Sequence, residues 1–208
     1  MPDTTCRLEG TPEQTAPAFT IRSILVARGQ RVEQVQYVAS SHVVTEVNGS
    51  TFLYAPGLGG RFTVQREQRL LRRLPSASGP SSAAHVRALL GNLKIDEPPG
   101  EVPIAGHSCR LIRILNRDAK LVLTIETYCT RLKGLERTAL RAERAFDAPH
   151  QPFVLPLTDD EVVVRSVTRA LAADFEQSQR LELAGIRPGI PAEWQASAGL
   201  LDYPVLNA

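Results

Sequence analysis

An α+β domain built on a strongly curved antiparallel sheet is the fold class that this sequence predicts, on three observations. Short alternating strands joined by tight turns run from Phe19 to Leu74. A longer hairpin occupies the middle of the chain, with Cys109 and Cys129 at near-mirror positions about its turn. The last third carries apolar residues at helical spacing. Most of residues 19–74 and 102–130 are therefore expected in the sheet, with helices against it.

Phe19 to Ala27 is rich in β-branched and aliphatic residues and stops at Arg28-Gly29-Gln30. In Val32 to Ala39, Val35 and Tyr37 alternate with Gln34 and Gln36, the period of two of a half-buried strand. His42 to Val47 leads into Asn48-Gly49, the pair that best tolerates the two positive φ angles of a type I′ turn, and Thr51 to Tyr54 returns from it. Pro56 to Gly60 forms a loop, and Arg61 to Gln65 pairs with Leu70 to Leu74 around Glu67-Gln68. Gln65 to Leu74 has a helix-forming composition, but the preceding meander offers an edge to pair with, which favours the strand.

Pro75 to Ser82 reads as a linker, and Val86, Leu89, Leu90 and Leu93 then predict an amphipathic helix from Ser82 to Leu93. Val102 to Leu115 and Leu121 to Thr130 predict a hairpin across Asn116 to Lys120. Cys109 and Cys129 each lie ten residues from Ala119, so a turn centred there makes them direct cross-strand neighbours on one face. That spacing accommodates a disulfide or two buried free thiols, and the sequence leaves both open. Leu135, Ala139, Ala142 and Phe146 predict a helix over Gly134 to Phe146. Thr158-Asp159-Asp160-Glu161 matches a capping box. It predicts a further helix through Val164, Val167, Leu171 and Phe175 to Leu183, ending at Gly185. The organisation expected is a leader over residues 1–17, one domain over 18–185 and a Pro-containing tail over 186–208.

The 208 residues suffice for one sizeable core, and 43% hydrophobic content is ordinary for a globular chain. A net charge of +2 gives no argument for nucleic acid. Arg66, Arg69, Arg72 and Arg73 read as a solvated strand edge that discourages aggregation, since no aromatic lies among them. Nothing approaches the roughly 20 apolar residues of a membrane span. Met1 to Pro17 lacks the apolar run of a secretory signal, and Cys6 lacks a lipobox. The expected location is cytoplasmic if the chain is the whole native product, and periplasm or cell envelope if a signal was removed. His107 and Cys109 are the one close His/Cys pair, without a recognised zinc spacing, so neither metal nor cofactor is expected. Nothing in the sequence sets an oligomeric state.

The β-meander, the internal helix and Ile104-Ala105-Gly106-His107-Ser108-Cys109 opening the long hairpin resemble the outer-membrane lipoprotein carrier (LolA-like) superfamily. A related bacterial domain of unknown function has a similar G-x-x-C strand opening, and the stretch from Glu33 to Leu74 is also similar. The resemblance covers about residues 19–130, and its motifs are general patterns. It implies an incomplete β-barrel with helices packed over the concave face and an apolar cavity. The roles it implies are carrying acyl chains, binding lipids and sensing envelope stress.

Three function classes follow. The first is a carrier or sensor holding a lipid, acyl chain or hydrophobic metabolite. Its expected ligand-binding residues are Phe19, Tyr37, Phe52, Tyr54 and Phe62 on the strands, roofed by Val86 and Leu90 or by Val164 and Phe175. The second is a cyclase-like tailoring enzyme using the same cavity, with His42, Glu46, His107 or Glu126 as acid–base groups. The third is a protein-interaction module.

Overall fold

The structure is a computed structural model and describes residues 18–74, 93–117, 122–131, 138–148, 154–172, 175–195 and 199–207. The leader, residues 82–92 of the first expected helix, and the turn residues 118–121 lie outside these. Six strands come first: β1 (Phe19–Ala27), β2 (Gln30–Val38), β3 (Val43–Val47), β4 (Ser50–Ala55), β5 (Gly60–Gln65) and β6 (Leu70–Arg73). Short β7 (Lys94–Asp96) and β8 (Glu101–Ile104) precede β9 (His107–Arg117) and β10 (Val122–Arg131). Helix α1 (Thr138–Asp147) is followed by β11 (Glu161–Ala172), β12 (Phe175–Pro188) and β13 (Val205–Leu206).

The thirteen strands of the described residues belong to one open sheet, ordered β13-β6-β5-β4-β3-β2-β1-β12-β11-β10-β9-β7, with β8 pairing another stretch of β9. Every pairing is antiparallel except β13 on β6. The sheet is a meander of six strands and a second of four, joined where β12 pairs with β1. Among the described residues α1 is the single α-helix. The antiparallel sheet and the first six strands agree with the sequence reading, and α1 lies where the helix over Gly134 to Phe146 is expected; the helix expected from residue 158 is replaced by strands.

The largest correction concerns residues 158–185. The helix expected there is the β11/β12 hairpin, in register from Arg165 opposite Glu182 to Ala172 opposite Phe175. Val162, Val163, Val164, Val167 and Thr168 are β-branched, which narrows their χ1 freedom in a helix and suits a pleated sheet. The spacing of Val164, Val167 and Leu171 fits a helical face only by coincidence. Half of the expected capping box does form: the Thr158 amide donates to Glu161 Oε2 at 2.9 Å. The Thr158 hydroxyl turns instead to Asp160 Oδ1 at 2.6 Å, and the chain leaves the turn extended.

The central hairpin is also revised. Ala105 (φ 50°) and Gly106 (φ 82°) form a tight turn that breaks the expected strand Val102–Leu115 into β8 and β9. Across the next turn Cys129 stands opposite Arg110, one residue from the expected partner. Because side chains alternate along a strand, this shift sends Cys109 and Cys129 to opposite faces. Both thiols are free, and they belong to different core clusters, so the expected cross-strand neighbours do not meet.

Cross-strand register defines two faces of the β1–β6 meander. Phe19, Val38, Val43 and Tyr54 oppose one another in sequence and form the front. Ala139 and Leu140 of α1 pack there. The Tyr54 hydroxyl donates to the Ala142 carbonyl at 3.0 Å, and its ring lies 5.3 Å from that of Phe146. Val44, Leu53, Phe62 and Leu71 form the back and pack against Trp194 and Leu200.

Within the expected tail over 186–208, Ile190, Trp194, Leu200, Leu201, Tyr203 and Val205 pack against the back of the sheet. Trp194 is 1% exposed and stacks on Tyr37 at 6.1 Å. Its carbonyl accepts a 2.6 Å bond from His42 Nε2. A carbonyl can only accept, so His42 carries its proton on Nε2, leaving Nδ1 for the Ser41 hydroxyl at 3.0 Å. Burial pulls the imidazole below its ordinary pKa and favours this neutral form. The arginine edge holds the same segment. Arg66 lies 3.7 Å from the Trp194 ring centroid, and Arg69 lies 5.7 Å from that of Tyr203. Arg73 donates to Asn207 Oδ1 at 3.3 Å. The aromatics missing from the arginine run arrive from the C-terminal segment.

Candidate functional site

On the front, a cavity of about 710 Å³ separates α1 from the sheet. Its floor follows from strand register. Ile21 opposes Gln36, Gln36 opposes Thr45 and Thr45 opposes Phe52, so one row crosses four strands and lines the cavity. A side wall comes from Leu155 and Leu157 ahead of β11, with Val162 and Val163 of β11 and Leu181 of β12. Helix α1 contributes Leu140 beside Arg141, Glu143, Arg144 and Asp147. The lining is thus aliphatic on one side and polar under the helix.

Ion pairs fix this polar side. Arg61 Nη2 donates to Glu143 Oε1 at 2.8 Å and to Asp147 Oδ2 at 2.7 Å, tying β5 to α1. Burial pushes the Glu143 carboxyl above its ordinary pKa even though Arg61 pulls it down. Arg141 reaches Asp159 at 2.5 Å, tying the helix to the wall. Arg144, on the same helix, lines the cavity with no hydrogen-bond or ion-pair partner among the described residues. Burial draws its guanidinium below its ordinary value.

The wall has its own anchor. Arg110 clasps Glu161 through two bonds, Nε to Oε1 at 2.8 Å and Nη2 to Oε2 at 2.7 Å. It also donates to the Pro156 carbonyl at 3.0 Å and pairs with Glu97 at 2.6 Å. Glu161 is 2% exposed, and the hydrogen bonds from Arg110 hold its carboxyl down to about 2 despite burial. Burial, reinforced by Glu161, pushes the neighbouring Cys129 thiol up to about 12; burial also raises Cys109. Both therefore stay protonated and poorly nucleophilic at neutral pH.

Of the expected ligand-binding residues, Phe52 lines the cavity. Phe19, Tyr54 and Val164 are core side chains, while Phe62 and Tyr37 pack with the back-face cluster. Val86 and Leu90 lie outside the described residues, as does the side chain of Phe175. The expected acid–base residues occupy separate settings. His42 binds the Trp194 carbonyl, and Glu46 accepts the Tyr37 hydroxyl at 2.8 Å. Glu126 pairs with Arg113 at 3.3 Å, and His107 opens β9 opposite Ile104. None of the four lines the cavity. The charged residues that do are Arg61, Arg141, Glu143, Arg144, Asp147 and Asp159, and of these the sequence reading singled out Asp159 alone, as part of the capping box. The one available signal was the polar side of the α1 stripe.

No protein-family profile matches the chain, and no curated protein matches it in sequence. Solved structures do match. The crystal structure of MucB in complex with MucA(peri) aligns with 86% of this chain and 53% of that chain, at 14% identity and a TM-score of 0.44. The complex structure of Pseudomonas aeruginosa MucA/MucB aligns with 86% and 54%, at 16% identity and a TM-score of 0.34. The crystal structure of a putative outer membrane lipoprotein-sorting protein domain from Vibrio parahaemolyticus aligns with 90% and 93%, at 10% identity and a TM-score of 0.30. The chain spans about half the length of the chains it matches in the two MucA/MucB structures. Among the described residues no helix is long and apolar enough to cross a membrane.

Proposed function

We propose that this protein binds the apolar part of a lipid, acyl chain or hydrophobic metabolite in the cavity between α1 and the sheet. The observation that carries this reading is the cavity itself. Its volume of about 710 Å³ falls within the roughly 300–1,000 Å³ typical of small-molecule sites. Leu155, Leu157, Val162, Val163, Leu181 and Ile21 supply aliphatic surface for a chain. Burying that surface is favourable at about 25 cal/mol per Å² before the costs of association.

Displacement of a fluorescent fatty-acid probe, with native mass spectrometry for stoichiometry, tests it. One acyl chain per protein is the expected result. Gln36→Trp, which places an indole into the floor, should abolish binding while leaving the protein folded. Failure of every acyl probe to bind, or binding indifferent to Gln36→Trp, would overturn the reading.

A further inference from the structure

Four acidic or acid-forming groups act electrostatically on Arg144: Cys129 of β10, Glu143 of its own helix, Asp159 ahead of β11 and Glu161 of β11. Each carboxylate among them is bound by another arginine. Glu143 takes Arg61 at 2.8 Å, Asp159 takes Arg141 at 2.5 Å, and Glu161 takes Arg110 at 2.7 Å. The Cys129 thiol is protonated at neutral pH and offers no charge. Arg144 is thus a partly buried guanidinium at the cavity wall whose N–H donors no described residue accepts.

A guanidinium removed from water without an acceptor is unfavourable, and its planar fork matches a pair of anionic oxygens. Beside it, Leu155, Leu157 and Val163 of the wall supply aliphatic surface for a chain. We propose that Arg144 binds the acidic headgroup, a carboxylate or phosphate monoester, of an amphipathic ligand whose chain lies in the cavity. This inference rests on the apolar-ligand reading above and adds to it the chemistry of the ligand's polar end.

Calorimetric titration of the full chain with dodecanoate, dodecyl phosphate and dodecanol tests it, because the three share a chain and differ in headgroup. At least one anion should bind roughly tenfold or more tighter than dodecanol, the size of one charge-assisted hydrogen bond. The tighter anion identifies the headgroup. Arg144→Gln should erase the preference and leave dodecanol affinity unchanged. Equal binding of all three by the native protein, or a preference that survives in Arg144→Gln, would overturn the headgroup role while leaving the cavity reading intact. No binding by any of the three would overturn both. If Arg144→Gln does not fold, the Nε–Hε resonance of Arg144 in the native protein decides. It should move with the preferred anion and stay with dodecanol; an unmoved resonance would overturn the proposal.

Discussion

The front and back of the β1–β6 meander are made by the same strands and end in opposite states. On the back, Val44, Leu53, Phe62 and Leu71 pack with Trp194 and Leu200 into one buried cluster, and the open space on that face, about 430 Å³ beside Thr20, Val35 and Tyr37, lies to the side of it. On the front, Ile21, Gln36, Thr45 and Phe52 face a cavity under a helix held by ion pairs. The cover on the back is an aromatic ring with an arginine over it; the cover on the front is a helix end tied by carboxylates. A buried ring excludes water and closes a surface. A charged rim beside aliphatic wall leaves room for a molecule that is apolar along its length and polar at its end.

The contrast is tested first by its largest element. Trp194→Ala should cost about 3–5 kcal/mol, as removal of a buried large aromatic does. Denaturant melts would measure it, and acyl binding by the folded fraction should not change. Second, Arg61→Ala leaves Glu143 without its cation and should cost about 1.5–3 kcal/mol at neutral pH. Removing Arg61 raises the Glu143 pKa further, so the loss should shrink as pH falls and Glu143 protonates. A loss independent of pH would show that Arg61 acts by packing alone.

Third, the front wall should be sensitive to acid. The folded pKa of Glu161 lies near 2 against an ordinary value of 4.5. Its contribution is therefore present above about pH 4.5 and is lost as pH falls towards 2. Stability followed by circular dichroism should decline over that window and decline less in Glu161→Gln. The smallest effect belongs to the back: Arg66→Ala removes an exposed cation from the Trp194 ring and should cost about 0.5–1 kcal/mol.

The first meander was legible because its signals are local. Asn48-Gly49 adopts φ 51° and 72°, as a type I′ turn needs, and the alternation of Val35 and Tyr37 with Gln34 and Gln36 marks β2. The same alternation concealed the site. Tyr37, the apolar partner in the pattern, stacks on Trp194 at the back, while Gln34 and Gln36 line the cavity at the front. A polar row under a helix is indistinguishable in sequence from a polar row in water.

The β11/β12 hairpin was misread because an acidic turn with a capping pattern preceded valines at helical intervals, and β-branching decided otherwise. Ala105-Gly106 is a weaker turn signal than Asn-Gly, which hid the β8/β9 turn. The register about Cys129 moved by one residue because Val122 stands opposite Arg117, which centres the β9/β10 hairpin between positions 119 and 120 and not on Ala119. The roles of Arg66 and Arg69 depend on Trp194 and Tyr203, more than 100 positions away in the chain, and no local pattern reports such a pairing.

Hydrogen exchange measured with and without dodecanoate tests the central contrast most directly, because front and back covers come from separate segments. Protection is expected in α1 and in residues 154–159, which line the cavity, with residues 189–195 and 199–207 unchanged. Protection concentrated in the C-terminal segment, with α1 unaffected, would contradict the assignment of the front as the ligand-binding face.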